Sequence, residues 1–294
     1  MLTNYISKRQ FGIEIEFLFP TWDDIERIVN QDNPEISLWV DPRGIAVFGS
    51  ARQYNNKTDW KLTTESSVTN GDGTGGFEIN SPILQGEAEL QQLAQIINML
   101  HHCGAIIDEQ CGLHVHIEIK PDFNQRQLKN LLKLQLNLED SFDCLIDLVR
   151  RRDNIYCESN VSQFYSELHN EIGIDQETAL WTDTGRASLI LISFQLLDEA
   201  NKQKMFMLNT GSMFHKLNLA PLLDCGTAEI RSHHGTLDYA EITNWMALQM
   251  ALVETAHSAS QIQPETVFFV GPQKAFAVLS AHLDKEVIEY YLNR

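Results

Sequence analysis

Four short segments constrain this chain more than anything else in it, because each alternates apolar residues with acidic, imidazole or guanidinium side chains. Phe11, Ile13, Ile15, Phe17 and Phe19 alternate with Gly12, Glu14, Glu16 and Leu18; Phe77 and Ile79 alternate with Glu78 and Asn80. Leu113, Val115, Ile117 and Ile119 alternate with His114, His116 and Glu118, and Ala228 and Ile230 with Glu229, Arg231 and His233. Successive side chains of a strand point to opposite faces, so each segment predicts a strand with one face in a core. The other face would then carry Glu14, Glu16, Glu78, His114, His116, Glu118, Glu229, Arg231 and His233.

One such segment alone reads as a solvated sheet face. Four of them read differently, because a solvated face mixes Lys, Thr, Ser and Gln rather than repeating Glu and His. Two like charges ~4 Å apart cost about 1 kcal/mol in water and ~4 kcal/mol at an effective dielectric of 20, so the carboxylates need cations to coexist ionised. An oxygen-rich set with one or two imidazoles favours Mg²⁺ or Mn²⁺, whereas Zn²⁺ prefers about four N or S ligands.

Between these strands the pattern changes to a helical one. Thr21 is positioned to cap a short helix to about Val29, and residues 32–75 read as irregular hairpins ending in the glycine-rich stretch Gly71 to Gly76. Strands are expected over 11–19, 76–84, 111–120 and 227–233. Glu87 to Cys103 places Leu90, Leu93, Ile97 and Leu100 on one side of an amphipathic helix. Asn124 is a natural N-cap for a long helix to about Val149, another helical pattern covers Val161 to Ile172, and Asp238 precedes a helix from Tyr239 to Ser258. Two short helices, near Pro272 to His282 and after Asp284, follow. Strands with long connections and helices outside them predict an α+β fold, with a curved antiparallel or mixed sheet and helices packed on its outer face. No internal repeat or low-complexity tract divides the 294 residues, which are read as a single domain, 1–294.

Charge narrows the partners. Asp plus Glu is 40 against 22 Lys plus Arg, a formal charge of -18, which argues against a nucleic acid or an anionic membrane held over a broad surface. No apolar run approaches a membrane span and the first nine residues lack a signal-peptide core, so a cytoplasmic protein is expected. Five cysteines, widely spread and never in CxxC spacing, predict reduced thiols rather than a disulfide framework. Cys111 falls on the apolar face of its strand and reads as core rather than nucleophile. The Gly71–Gly76 run lacks phosphate-loop spacing and precedes a strand, so it reads as a flexible loop. Arg150, Arg151 and Arg152 read as a dipole-complementing helix end, with phosphate binding the lesser alternative.

At these same residues the chain resembles the amidoligase family, a branch of the carboxylate-amine ligase superfamily that includes glutamine synthetase and glutamate-cysteine ligase. Gly12-Ile13-Glu14-Ile15-Glu16-Phe17 resembles the family's opening metal-binding strand, and Gly76-Phe77-Glu78-Ile79-Asn80-Ser81-Pro82 its G-x-E-x-x-S-P strand. Cys111-Gly112-Leu113-His114-Val115-His116 is similar to its C-G-x-H-x-H strand. Thr227-Ala228-Glu229-Ile230-Arg231, followed by Gly235-Thr236-Leu237-Asp238 and Trp245, is similar to its closing E-x-R strand and the helix after it. The motifs occur in the family's order, and the resemblance spans about Phe11 to Glu254. It implies a sheet of the glutamine synthetase catalytic type, Mg²⁺ (or Mn²⁺) held by Glu14, Glu16, Glu78, His114 and Glu229, and ATP phosphates or an acyl-phosphate met by His116 and Arg231. Lys216, before Leu217-Asn218, matches a basic position of the family, and Glu65-Ser66-Ser67 resembles an acidic-serine motif. Apart from that motif, segments 32–75 and 155–205 match no family pattern and are expected to set substrate choice.

The chemistry implied is ATP-dependent joining of a small-molecule or peptide carboxylate to an amine. Arg231, Glu65 and Lys216 are the expected catalytic residues, with Glu65 or Glu118 as general base and Gly71–Gly76 as a lid or hinge. Two other readings of the same face stay open: a metal-dependent hydrolase in which His114 and His116 activate water, and a non-catalytic metal- or nucleotide-binding protein.

Overall fold

A computed structural model describes residues 5, 8–18, 37–40, 53–147, 154–164, 183–200, 214–265 and 272–293. The protein is α+β, and it divides into two compact units: residues 1–117 with 233–247, and residues 118–232 with 248–294.

The first unit is built on a mixed sheet of strand order β2-β3-β4-β1-β5. Its strands are β1 (Phe11–Phe17), β2 (Ser37–Val40), β3 (Asp59–Thr69), β4 (Gly75–Asn80) and β5 (Gly112–Glu118). β2 runs parallel to β3, and the β3–β4, β4–β1 and β1–β5 pairs are antiparallel. Phe11, Ile13, Ile15, Phe17, Trp60, Leu62, Phe77, Ile79, Leu113 and Val115 are all buried, as the alternation requires. Helix α1 (Glu87–His102) buries Leu90, Leu93, Ile96, Ile97, Met99 and Leu100, and its Gln92 accepts a hydrogen bond from the Trp60 indole of β3 at 3.3 Å. The polar edges of β1, β4 and β5 are thereby left on the face opposite the helix.

In the second unit, α2 (Gln125–Phe142) starts at Asn124 with a reciprocal capping box: the Asn124 side chain accepts from the Gln127 N–H and the Gln127 side chain accepts from the Asn124 N–H. It packs against α3 (Asp183–Glu199) and α5 (Pro272–His282), which is followed by α6 (Lys285–Leu292). Strand β7 (Thr227–His234) pairs antiparallel with the short β6 (Leu217–Asn218) and contributes its last two residues to the first unit. Helix α4 (Tyr239–Ser258), whose residues to Ala247 belong to the first unit, begins where the Asp238 carboxylate accepts the N–H groups of Ala240 and Glu241.

Several boundaries differ from expectation. The segment read as irregular, 32–75, contains β2 and the eleven-residue β3. Trp60, Leu62 and Val68 form its buried face, but Thr64 and Ser66 interrupt the apolar period and the register shifts between Glu65 and Thr69. Helix α2 stops at Phe142 rather than near Val149, with Asp143 as its C-cap. Helix α3 carries apolar residues around its circumference, Leu189 through Ile192 among them, so no one-sided stripe announces it. The expected helix at Thr21–Val29 and the arginines 150–152 lie outside the described residues, as does most of Val161–Ile172, of which a short 3₁₀ turn, Ser162–Phe164, is described.

Candidate metal-binding face and the Glu229–Arg231 strand

Register assembles the face of the first unit row by row. Glu14 stands opposite Asn80 on β4 and His114 on β5, and Lys61 stands opposite Asn80. The adjoining row has Thr63 opposite Glu78 and Glu78 opposite Glu16. Gly12 pairs with His116, so a residue without a side chain faces the second imidazole. Side chains directly opposite across antiparallel strands are ~5 Å apart, close enough to interact, and the Glu16–Glu78 pair brings two like charges together.

The side chains converge as these rows predict. His114 places Nδ1 3.3 Å from Glu14 Oε2 and Nε2 3.8 Å from Glu16 Oε1, while His116 Nε2 lies 3.2 Å from Glu14 Oε1. Glu16 Oε2 accepts the Gly112 N–H at 2.5 Å, and Glu78 Oε1 accepts from Asn80 at 2.8 Å. One ligand-type atom from each of Glu16, Glu78 and His114 lies within 4.8 Å of the others. Five of the expected residues are thus gathered on three adjacent strands.

Electrostatics splits the carboxylates. Burial pushes the Glu14 carboxyl up, but hydrogen bonds from His114 and His116 and their field outweigh it, holding it well below the usual carboxylate range. Burial, together with the negative charge of Glu14, raises Glu78 well above its ordinary value; the Asn80 hydrogen bond opposes this, and Glu16 and Glu65 add to it. Three carboxylates with at least one imidazole make a hard, oxygen-rich donor set whose mutual repulsion a divalent cation relieves, so the residues fit Mg²⁺ or Mn²⁺. Glu65, on β3, accepts from the Ser67 N–H and hydroxyl, both at 2.7 Å, and its charge reaches Glu78. Cys111 is core, as expected, with burial pushing its thiol up to about 12.

The second unit holds Glu229 and Arg231 on β7. Arg231 Nη1 donates to Glu229 Oε1 at 2.5 Å, and Asn218, directly opposite on β6, donates to Glu229 Oε2 at 2.8 Å. The Arg231 guanidinium lies 6.0 Å from the Phe214 ring centroid. Lys216 ion-pairs with Asp143 and is only 1 % exposed, so its ammonium reaches no solvent-borne ligand in this conformation. Its carbonyl, however, accepts the Arg231 N–H at 2.8 Å. Glu118 ends β5, and His233 is wholly buried in the first unit beside His234 and Trp245.

Sequence reasoning missed a buried ionic network in the second unit. Arg186 forks onto Asp140 (Nε to Oδ2 3.0 Å, Nη2 to Oδ1 2.8 Å) and donates to Glu139 Oε1 at 3.1 Å; Glu139 Oε2 also accepts the Asn160 N–H at 2.8 Å. Adjacent acids at the end of an apolar helix look like solvated polar residues until their partner's position is known. A cleft of about 340 Å³ in this unit, lined by Lys133, Phe194, Asp198 and Gln263 among others, includes none of the expected site residues.

The ordered strands carrying Glu14, Glu78, His114 and Glu229 fall within a match over residues 7–253 to the family model described as "Putative amidoligase enzyme". The chain belongs to the amidoligase family. The family's description is that of a ligase-type enzyme, and the matched amidoligase region covers all seven described strands. Comparison with curated proteins finds no match. No helix among the described residues of this amidoligase is long and apolar enough to cross a membrane.

Proposed function

We propose that this amidoligase is an ATP- and Mg²⁺-dependent carboxylate-amine ligase that works through an acyl-phosphate on a sheet of the glutamine synthetase type. The observation that carries the reading is the convergence of Glu14, Glu16, Glu78, His114 and His116 on β1, β4 and β5, in a chain whose family membership is shown. Glu14, Glu16, Glu78 and His114 are assigned as metal ligands, and the family resemblance adds Glu229. Bound there, Mg²⁺ supplies charge neutralisation for phosphoryl transfer between two anions.

The chain's own residues then have defined work. A substrate carboxylate oxygen attacks the γ-phosphorus, forming the O–P bond as the bond to the β-phosphate oxygen breaks and ADP leaves. An amine attacks the acyl carbon, the C–O bond breaks, and phosphate departs. Arg231 supplies a fixed guanidinium donor to the phosphoryl oxygens, and Glu229 and Phe214 hold it in orientation. Lys216 contributes as a positioning residue, through the backbone hydrogen bond that fixes Arg231. His116 contacts phosphate from β5. Glu65, anchored by Ser67, or Glu118 takes the proton that the attacking amine must lose. The substrates are small-molecule or peptide carboxylates and amines.

ADP and phosphate release and thermal shift, measured with Mg²⁺ and ATP in wild type, Glu14→Gln and Glu229→Gln, test the reading. ATP-plus-Mg²⁺ stabilisation or ADP formation in wild type that both variants lose supports it. Absence of any nucleotide effect removes the ligase assignment, and turnover of an amide without ATP replaces it with a hydrolase.

A further inference from the structure

Where β7 turns into α4, the first unit brings together a second set of ligand-type side chains that the ligase reading leaves unused. One atom from each of His233, His234 and Glu241 lies within 4.8 Å of the other two. None of the three belongs to the Glu14, Glu16, Glu78 and His114 set. Their chemistry differs as well: two imidazoles and one carboxylate, against three carboxylates and one imidazole.

Two of the ligands, His233 and Glu241, are each oriented by a partner of their own. His233 Nδ1 lies 2.7 Å from the His234 carbonyl oxygen. A carbonyl only accepts, so Nδ1 carries the proton and Nε2 presents its lone pair. The ring is held by stacking on His234 (centroids 4.2 Å apart, 26° between planes) and by Trp245 at 4.7 Å. Thr236 Oγ1 donates to Glu241 Oε2 at 2.7 Å and accepts the Asp238 N–H at 3.1 Å, which leaves Glu241 Oε1 turned toward His234 Nε2. An outer shell that fixes tautomer and carboxylate rotamer is what metal-binding histidines and carboxylates have around them.

The spacing of these atoms suits a coordination edge as well as an ion pair. His234 Nε2 and Glu241 Oε1 are 3.4 Å apart, long for an N–H···O bond, whose mode is ~2.9 Å. Two ligands bound at ~2.05 Å with a tetrahedral angle between them are ~3.3 Å apart. We propose that His233, His234 and Glu241 form a three-ligand site for a transition metal of the Zn²⁺ class, clipping the end of β7 to the first turn of α4. A His₂Glu set suits Zn²⁺ far better than Mg²⁺. His234 is 19 % exposed, which gives the metal a solvent side for entry and for a fourth, water ligand.

The test uses metal-stripped full-length protein titrated with Zn²⁺ in excess Mg²⁺, which occupies hard oxygen-rich sites first. One equivalent of Zn²⁺ is expected to bind, with two imidazoles in its X-ray absorption spectrum, and to raise the melting temperature by about 5 °C at a hundredfold excess over Kd. Binding is expected to persist in Glu78→Gln, to weaken about 10–100-fold in Thr236→Val, and to be lost in His234→Gln and Glu241→Gln. No Zn²⁺ uptake in Mg²⁺ overturns the proposal, as does an oxygen-only spectrum. So does binding that survives His234→Gln and Glu241→Gln yet disappears in Glu78→Gln. A two-imidazole spectrum that persists in His116→Gln assigns the metal to His233 and His234 even if His234→Gln or Glu241→Gln fails to fold, and one reduced to a single imidazole there overturns the proposal.

Discussion

Glu14 and Glu78 sit on neighbouring strands and are pushed in opposite directions, which makes their signs separable by pH. Below the ordinary carboxyl value of 4.5 Glu78 is protonated folded or unfolded; as pH rises through its raised folded value the buried carboxylate ionises against Glu14 and the fold loses stability. Glu78→Gln removes that loss. In metal-free protein, melting curves are expected to show the variant more stable than wild type well above 4.5 and equal to it below; a variant less stable at high pH contradicts the account. Glu14, held low by His114 and His116, has the opposite sign: its contribution is present above 4.5 and is lost as pH falls through its depressed value. In the second unit, Arg186 is buried between Glu139 and Asp140, which raise its pKa against the opposing effect of burial. Arg186→Met leaves two buried carboxylates uncompensated and is expected to cost about 3–5 kcal/mol by urea denaturation. Adding Glu139→Gln and Asp140→Asn should recover much of it, and an unchanged midpoint in the single variant would sink the network's role. None of these partnerships was legible beforehand: spacing identifies Glu14 and Glu78 as sharing a face, but Arg186 lies 46 residues from Asp140 and nothing local links them.

At the scale of elements, what was legible followed from periodicity. β1, β4, β5, β7 and α1 lie close to the expected bounds because each has an apolar face in a clean period, and α4, buried on nearly every side, because Asp238 marks its start. β3 and α3 escaped for opposite reasons, β3 because Thr and Ser dilute its apolar face, α3 because apolar residues surround it. The close approach of the 235 backbone to β5 shows how tightly elements meet in the first unit. Gly235 donates its N–H to the Cys111 carbonyl at 2.7 Å, and a Cβ there would lie 2.6 Å from Cys111 Cβ and 3.0 Å from its carbonyl carbon and oxygen. Gly235→Ala is therefore expected to lower stability by about 1–3 kcal/mol with an unchanged denaturant m-value. A neutral effect would mean that this contact is looser than the structure has it.

For the whole molecule, a formal charge of -18 means self-repulsion in the folded state, which salt screens. Moving from low to moderate ionic strength is expected to raise the melting temperature of metal-free protein by a few degrees; a fall would show that specific ion pairs outweigh the net charge. The acidic residues of the face were legible as a set because strand alternation is a local rule, set by backbone geometry that holds wherever a strand forms, and their order along the chain carried the family. Local rules stop at the strand. Which carboxylate ends up held low and which high depends on cross-strand register and burial, and the conversion of Lys216 from an expected ligand contact into an ion pair with Asp143 depends on where a helix 73 residues away ends. The His233–His234–Glu241 grouping likewise needs the turn that swings α4 back beside the end of β7. Interaction energies fall off over a few ångströms, so residues distant in sequence acquire partners only when the chain has packed.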